Sequence, residues 1–184
     1  MKENKLSVRE IQSADIEYII QYWLGSDHDY LENMGVDVKK LFKKEEISEM
    51  LLNQMEKPYE QKNAYCIIWE IDGKPIGHCN TNPSQFGNQA NMHLHLWQAA
   101  YRQKGHGSTL LKMTIPYFFQ NLQLKNLYCE PYALNPAPHK ALEKLGFEFE
   151  KEYVTVPGSI NFEQPVKRWV LSYDRYNKMY NGQL

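Results

Sequence analysis

The sequence has little of what marks several common protein classes. It holds only three cysteines, Cys66, Cys79 and Cys129, an odd number set far apart with no CxxC pair. A disulfide framework is therefore not expected, and reduced thiols point to a cytoplasmic protein. No apolar run approaches the roughly 20 residues needed to span a bilayer. The opening residues "MKENKLSVREIQ" also lack an apolar signal core, so membrane partners are not expected. Charge of one sign is missing too. The net charge of −1 shows none of the basic excess of a general nucleic-acid binder. Internal repeats and low-complexity segments are absent. So is the Walker pattern G-x-x-x-x-G-K-[ST]. In "GHGSTL" (105–110) Leu110 stands where a dinucleotide fingerprint has its third glycine.

At 184 residues and 42% hydrophobic content, the chain is expected to form one domain with one substantial core. The segment 5–11 alternates and predicts an opening strand. Helical spacing over 15–24 puts Ile16, Ile19, Ile20 and Trp23 on one side. A second helix is expected over 43–56 with Ile47, Met50, Leu51 and Met55 inward. Between the helices, "SDHDYLENMGVD" (26–37) carries four acids and no Lys or Arg. Strands follow at 64–71, 75–82 and 90–97, the first two joined by the hairpin signal "DGK". A helix over 107–122 contains Pro116, which is expected to kink or shorten it. A strand at 125–132, a helix at 136–146 and strands at 147–156 and 165–173 complete the pattern, with a polar tail after about 175. The order β-α-α-β-β-β-α-β-α-β-β combines antiparallel hairpins with one β-α-β crossover, which is neither a Rossmann fold nor a barrel.

The most informative stretch is "YRQKGHGSTLL" (101–111). Glycines let a backbone approach a ligand closely, and a helix start offers free N–H groups and the positive end of the helix dipole. Arg102 and Lys104 add charge. An alternating strand before and a helix after make this an anion-holding loop. The stretch "LHLWQAAYRQKGHGSTLL" (94–111) resembles the acyl-CoA-binding motif R/Q-x-x-G-x-G/A of the GNAT family of N-acetyltransferases. Downstream, "NPAPHKALEKLGFE" (135–148) is similar to that family's second conserved segment. The resemblance spans about 5–173, and the "EP…N…LGF" run further resembles aminoglycoside 6'-N-acetyltransferases and siderophore-lysine acyltransferases.

The resemblance implies an α/β (α+β) GNAT fold, a mixed, largely antiparallel sheet flanked by helices. It also implies acetyl transfer from acetyl-CoA to a primary amine, by a monomer or homodimer. The amides of residues 103–108, namely Gln103, Lys104, Gly105, His106, Gly107 and Ser108, would bind the pyrophosphate beside Arg102. The backbone of Leu96 and Trp97 would pair with pantetheine, and Asn135 would reach it or hold the next turn. Leu142 stands where many members carry a tyrosine acid. The catalytic candidates are then His95, Tyr132 and His93, in that order. His139 reads as a solvated helix residue. Asp27, Asp29, Tyr30 and Glu32 are expected to attract a small cationic amine or an amino terminus. A catalytically inactive acyl-CoA sensor of the same fold is the alternative. His93-x-His95 with His78 or Cys79 comes nearest to a metal set, but the spacing specifies no third ligand, so no metal is expected.

Overall fold

Period-two patterning over residues 65–96 sorts side chains onto two sides of a sheet, and the fold is built around both. The computed structural model describes residues 4–102 and 104–181. Its strands are β1 (Leu6–Glu10), β2 (Tyr65–Ile71), β3 (Lys74–Gln85), β4 (Gln89–Leu96), β5 (Asn126–Cys129), β6 (Glu148–Thr155) and β7 (Gln164–Ser172). Helices α1 (Ile16–Gly25), α2 (His28–Asn33) and α3 (Lys44–Glu56) lie between β1 and β2. Helix α4 (His106–Leu122) joins β4 to β5, α5 (Pro136–Lys144) joins β5 to β6, and α6 (Tyr173–Tyr176) follows β7. The sheet order is β1-β2-β3-β4-β5-β7-β6, antiparallel throughout except for the parallel pair β4–β5. No helix among the described residues is long and apolar enough to cross a membrane.

Asp72 and Gly73 form the two-residue turn between β2 and β3, both with positive φ (51° and 74°), as a primed hairpin turn requires. One face of the sheet carries Tyr65, Ile67, Trp69, Cys79 and Met92, packed against Leu110, Leu111, Ile115 and Phe118 of α4. The other face carries Cys66 and Ile68 against Ile16, Ile19, Ile20 and Ile47 of α1 and α3. Each such fully buried side chain contributes about 1.5–3 kcal/mol. Trp69 Nε1 donates to Thr114 Oγ1 at 2.8 Å, satisfying the one polar atom it takes into the interior.

Three expectations are corrected, and the acidic segment gains an element. Helix α4 runs through Pro116 without stopping, because Ile115, Phe118 and Phe119 are buried on both sides of it. Met50 points outward at 43% exposure, so α3 anchors through Ile47 with Leu51 and Met55 partly covered. The acidic stretch contains a helix, α2, capped by Asp27, whose Oδ1 accepts from Tyr30 N–H at 3.0 Å. The tail is not loose at 175: Tyr176 is 2% exposed and stacks on Phe119 with ring centroids 4.3 Å apart. Aromatic burial outweighs the polar composition there.

Candidate active site

Strands β4 and β5 pair only from Gln89–Asn126 to Met92–Cys129. Beyond that, β4 continues through His93 to Leu96 while the other strand leaves the ladder. The cause is local. Pro131 has no N–H to donate, and the chain turns to β7, with Lys167 N–H donating to Pro131 O (3.2 Å) and Ala133 N–H to Pro165 O (2.8 Å). A wedge-shaped gap opens in the sheet. On its other edge β4 stays paired with β3 as far as Leu96–Gly77, and Trp97 N–H donates to Ile76 O at 3.0 Å. Amides alternate sides along an antiparallel strand, so Leu94 and Leu96 direct theirs into the gap. An extended ligand arm can add there as a strand does. The N–H of Leu96 thus faces the gap, whereas the N–H of Trp97 is already used.

The glycine loop lies at the mouth of this gap. Gly105 adopts φ +80° as the residue before α4, and no side chain caps the helix, so its first N–H groups are left for a ligand. Gly105, Gly107 and Ser108 line a cavity of about 1290 Å³ that extends along the gap. Lys104 is exposed and His106 half-buried beside them, while Gln103 lies outside the described residues. Arg102 differs from expectation. Its guanidinium donates from Nε and Nη2 to Leu96 O (3.3 and 3.1 Å) and lies over the Tyr30 ring, 3.9 Å from its centroid. It ties the end of β4 to α2 instead of standing free as a phosphate ligand.

On the α1–α3 side, a row of polar side chains crosses the sheet. Register pairs His78 with His95 and Asn80 with His93, and Glu130 follows Cys129 at the edge of the gap. The His78 and His95 rings stack at 4.7 Å, and Trp97 Nε1 donates to His78 Nδ1 at 2.8 Å. His95 Nδ1 lies 3.2 Å from Tyr22 Oη. Burial, helped by His93, holds the His78 imidazole down to about 3. Burial also keeps His95 well below the ordinary range, with His78 and His93 adding to the effect. His93 is lowered by burial but partly restored by its bond to Asn82 O (2.8 Å) and by the charge of Glu130. That bond makes Nε2 the protonated nitrogen and leaves Nδ1 as a bare acceptor. Burial thus lowers His95 further than His93. Among the described residues no group of three or more such side chains is arranged to hold a metal.

Tyr132 lines the cavity between β5 and α5, its ring edge-on to Phe162. Asn135 holds the turn: its Oδ1 accepts from Ala137 N–H at 3.4 Å as the cap of α5. Leu142 is fully buried, so α5 offers no hydroxyl at that position. His139 is not solvated as expected. It is half-buried, with Nε2 donating to Tyr132 O (3.2 Å) and Nδ1 accepting from Trp169 Nε1 (3.1 Å). Asp27, Asp29 and Glu32 are exposed and do not line the cavity; of that segment's four candidates only Tyr30 does. Glu130 and Asn80 join this row without having been singled out in the sequence, where His78 entered only as a metal candidate. Their common face follows only from the register of β3, β4 and β5.

Residues 5–148 match the family model of the GNAT acetyltransferase domain. No curated protein matches the chain by sequence. Among solved structures, the ribosomal L7/L12 alpha-N-protein acetyltransferase RimL, in complex with coenzyme A, is similar with a TM-score of 0.75 at 13% identity. That likeness covers 92% of this chain and 95% of that one. Spermidine N-acetyltransferase from Vibrio cholerae, in complex with CoA and spermine, is similar with a TM-score of 0.75 at 19% identity, over 93% of this chain and 97% of that one. At these identities the structures share a fold. The family match covers the strand gap and the glycine loop together, and it places the chain in the GNAT family as an acetyl-CoA-dependent N-acetyltransferase.

Proposed function

We propose that the thioester of acetyl-CoA lies in the β4–β5 gap and that its acetyl group passes directly to an amine entering from the α1–α3 side. The acceptor is a small cationic amine or an amino terminus. One observation supports this reading: the gap between β4 and β5 ends beside the row of Asn80, His93 and Glu130. In this scheme the amides from Lys104 to Ser108 take the pyrophosphate, and Leu94 and Leu96 hold the pantetheine arm. His93 Nδ1 accepts the proton of the incoming ammonium, and Glu130 stabilises the imidazolium so formed. The neutral nitrogen attacks the thioester carbonyl, the C–S bond breaks, the departing thiolate takes a proton from Tyr132, and Tyr132 regains one from the proton that the acylated nitrogen gives up. His95, held neutral between His78 and Tyr22, shapes the approach.

The test follows thiol release from acetyl-CoA over a panel of amines. His93→Ala and Tyr132→Phe should each lower kcat/KM by about 10²–10⁴-fold while calorimetry shows unchanged CoA affinity. Unchanged turnover in both would overturn these roles. Tight acetyl-CoA binding without thiol release from any amine would instead favour an inactive sensor, to which the loss of a hydroxyl at Leu142 lends some support.

A further inference from the structure

The end of β4 runs past its last pair with β5 at Met92 and stops at Leu96. The N–H and C=O of one strand residue point the same way, so Leu96 O opens on the gap together with Leu96 N–H. An open carbonyl at a strand edge calls for a donor. Arg102 supplies it. Its Nε and Nη2 donate to Leu96 O at 3.3 and 3.1 Å, and Nη2 also reaches Trp97 O at 3.4 Å. The first residue of the glycine motif thereby grips the strand that the chain has just left.

The same guanidinium meets α2, with its Cζ 3.9 Å from the centroid of the Tyr30 ring. A guanidinium can do both at once, because its N–H groups lie in its plane and leave its faces free to stack. A lysine ammonium cannot. From Tyr30 the contacts run on: Tyr30 Oη is 3.4 Å from Tyr22 Oη, which is 3.2 Å from His95 Nδ1. The circuit closes at the strand end, where the His95 ring stacks on His78 and His78 accepts from Trp97 Nε1. Helix α2 has six residues and buries only Leu31. So short a helix is not held by its own helicity, and its place depends on side-chain contacts such as this stack.

We infer that Arg102 is a positioning residue that couples the coenzyme side of the site to α2: stacked on Tyr30, it holds the end of β4 in the conformation with which the pantetheine arm pairs. This rests on the reading above that the arm lies in the β4–β5 gap. Fixing the strand end before binding removes an ordering cost that the coenzyme would otherwise meet. The rival role is a cation on the pyrophosphate, for which charge alone suffices and Tyr30 is irrelevant.

Calorimetry with CoA tests the coupling on the unsubstituted chain, Arg102→Lys, Tyr30→Leu, Tyr30→Phe and the double variant Arg102→Lys/Tyr30→Leu. Both positions are half-buried, so these exchanges leave the core intact. Arg102→Lys keeps the charge but loses the fork and the stack, and should weaken CoA binding about tenfold. Tyr30→Leu should weaken it by a similar factor. The double variant should lose no more than about threefold beyond either, because its second exchange breaks a contact already lost. Tyr30→Phe keeps the ring and should bind within about twofold of the unsubstituted chain. Unchanged affinity in Arg102→Lys or in Tyr30→Leu overturns the inference. Losses that multiply in the double variant overturn it too, since they mark two independent contributions. So does a loss in Tyr30→Phe as large as in Tyr30→Leu, which would make the hydroxyl the active part. In all three cases CoA binding by the unsubstituted chain leaves the coenzyme reading standing. No binding by that chain overturns the coenzyme reading and this inference with it.

Discussion

His78, His93 and His95 sit on one face of two adjacent strands, and withdrawal from water depresses all three. A general base must be neutral to act, and a depressed pKa extends the neutral form toward acid. The acidic limb of kcat/KM is therefore expected below the ordinary imidazole value of about 6.5. In the proposed mechanism it belongs to His93, because the pair His78–His95 is held lower still. Glu130 raises His93 through its charge, so Glu130→Gln should move the limb further toward acid, and His93→Ala should abolish it. A pH profile of the three proteins checks this. A limb at the same pH in all of them would assign it to the amine substrate. His93 and His95 are legible in the sequence as same-face residues by their spacing. Their relative basicity is not, because it depends on Asn82, Glu130 and His78, which only the folded register brings near.

At the scale of elements, the glycine loop separates two roles that the motif alone merges. Gly105 needs a left-handed backbone but has open space around it, whereas a Cβ on Gly107 would meet Leu96 Cδ1 at an ordinary 3.6 Å. Gly105→Ala is therefore expected to cost about 1–2 kcal/mol of stability. Gly107→Val should leave stability nearly intact but weaken CoA binding, since its bulk rises over the helix start where the phosphate is expected. Urea unfolding and calorimetry on the two variants check this; equal effects on both quantities would refute the division. The strand–glycine–helix succession is legible because each part is local. The use of Arg102 is not, since its partners Leu96 O and Tyr30 belong to a strand end and to another helix.

For the whole molecule, the sheet carries a core on each face, and the chain closes the larger one with its last described turns. Ser172 caps α6, Tyr176 stacks on Phe119, and Arg175 Nη1 pairs with Glu148 at 2.8 Å. Tyr176→Ala should destabilise the protein by about 3–5 kcal/mol, typical of a buried aromatic, as a lower urea midpoint at unchanged slope. A change under 1 kcal/mol would return residues after 175 to the status of a loose tail. Composition misleads there because one buried ring outweighs several polar neighbours on the surface.

By itself the sequence determined the class of protein: the succession of strands and helices, the Asp72–Gly73 hairpin, the glycine loop before α4 and the family these motifs carry. Such features are local, set by periodicity and by the dihedral freedom of single residues. Only the tertiary structure decided which side chains line the gap between β4 and β5. The acids of 26–37, adjacent in sequence to the expected acceptor site, cap a helix or face solvent. Glu130, far along the chain, comes beside His93 because β5 pairs in parallel with β4 and ends at Cys129. Gln164 Nε2 donates to Gly35 O across 129 residues. No local pattern encodes such a contact, because strand register and loop closure depend on the burial of the whole sheet.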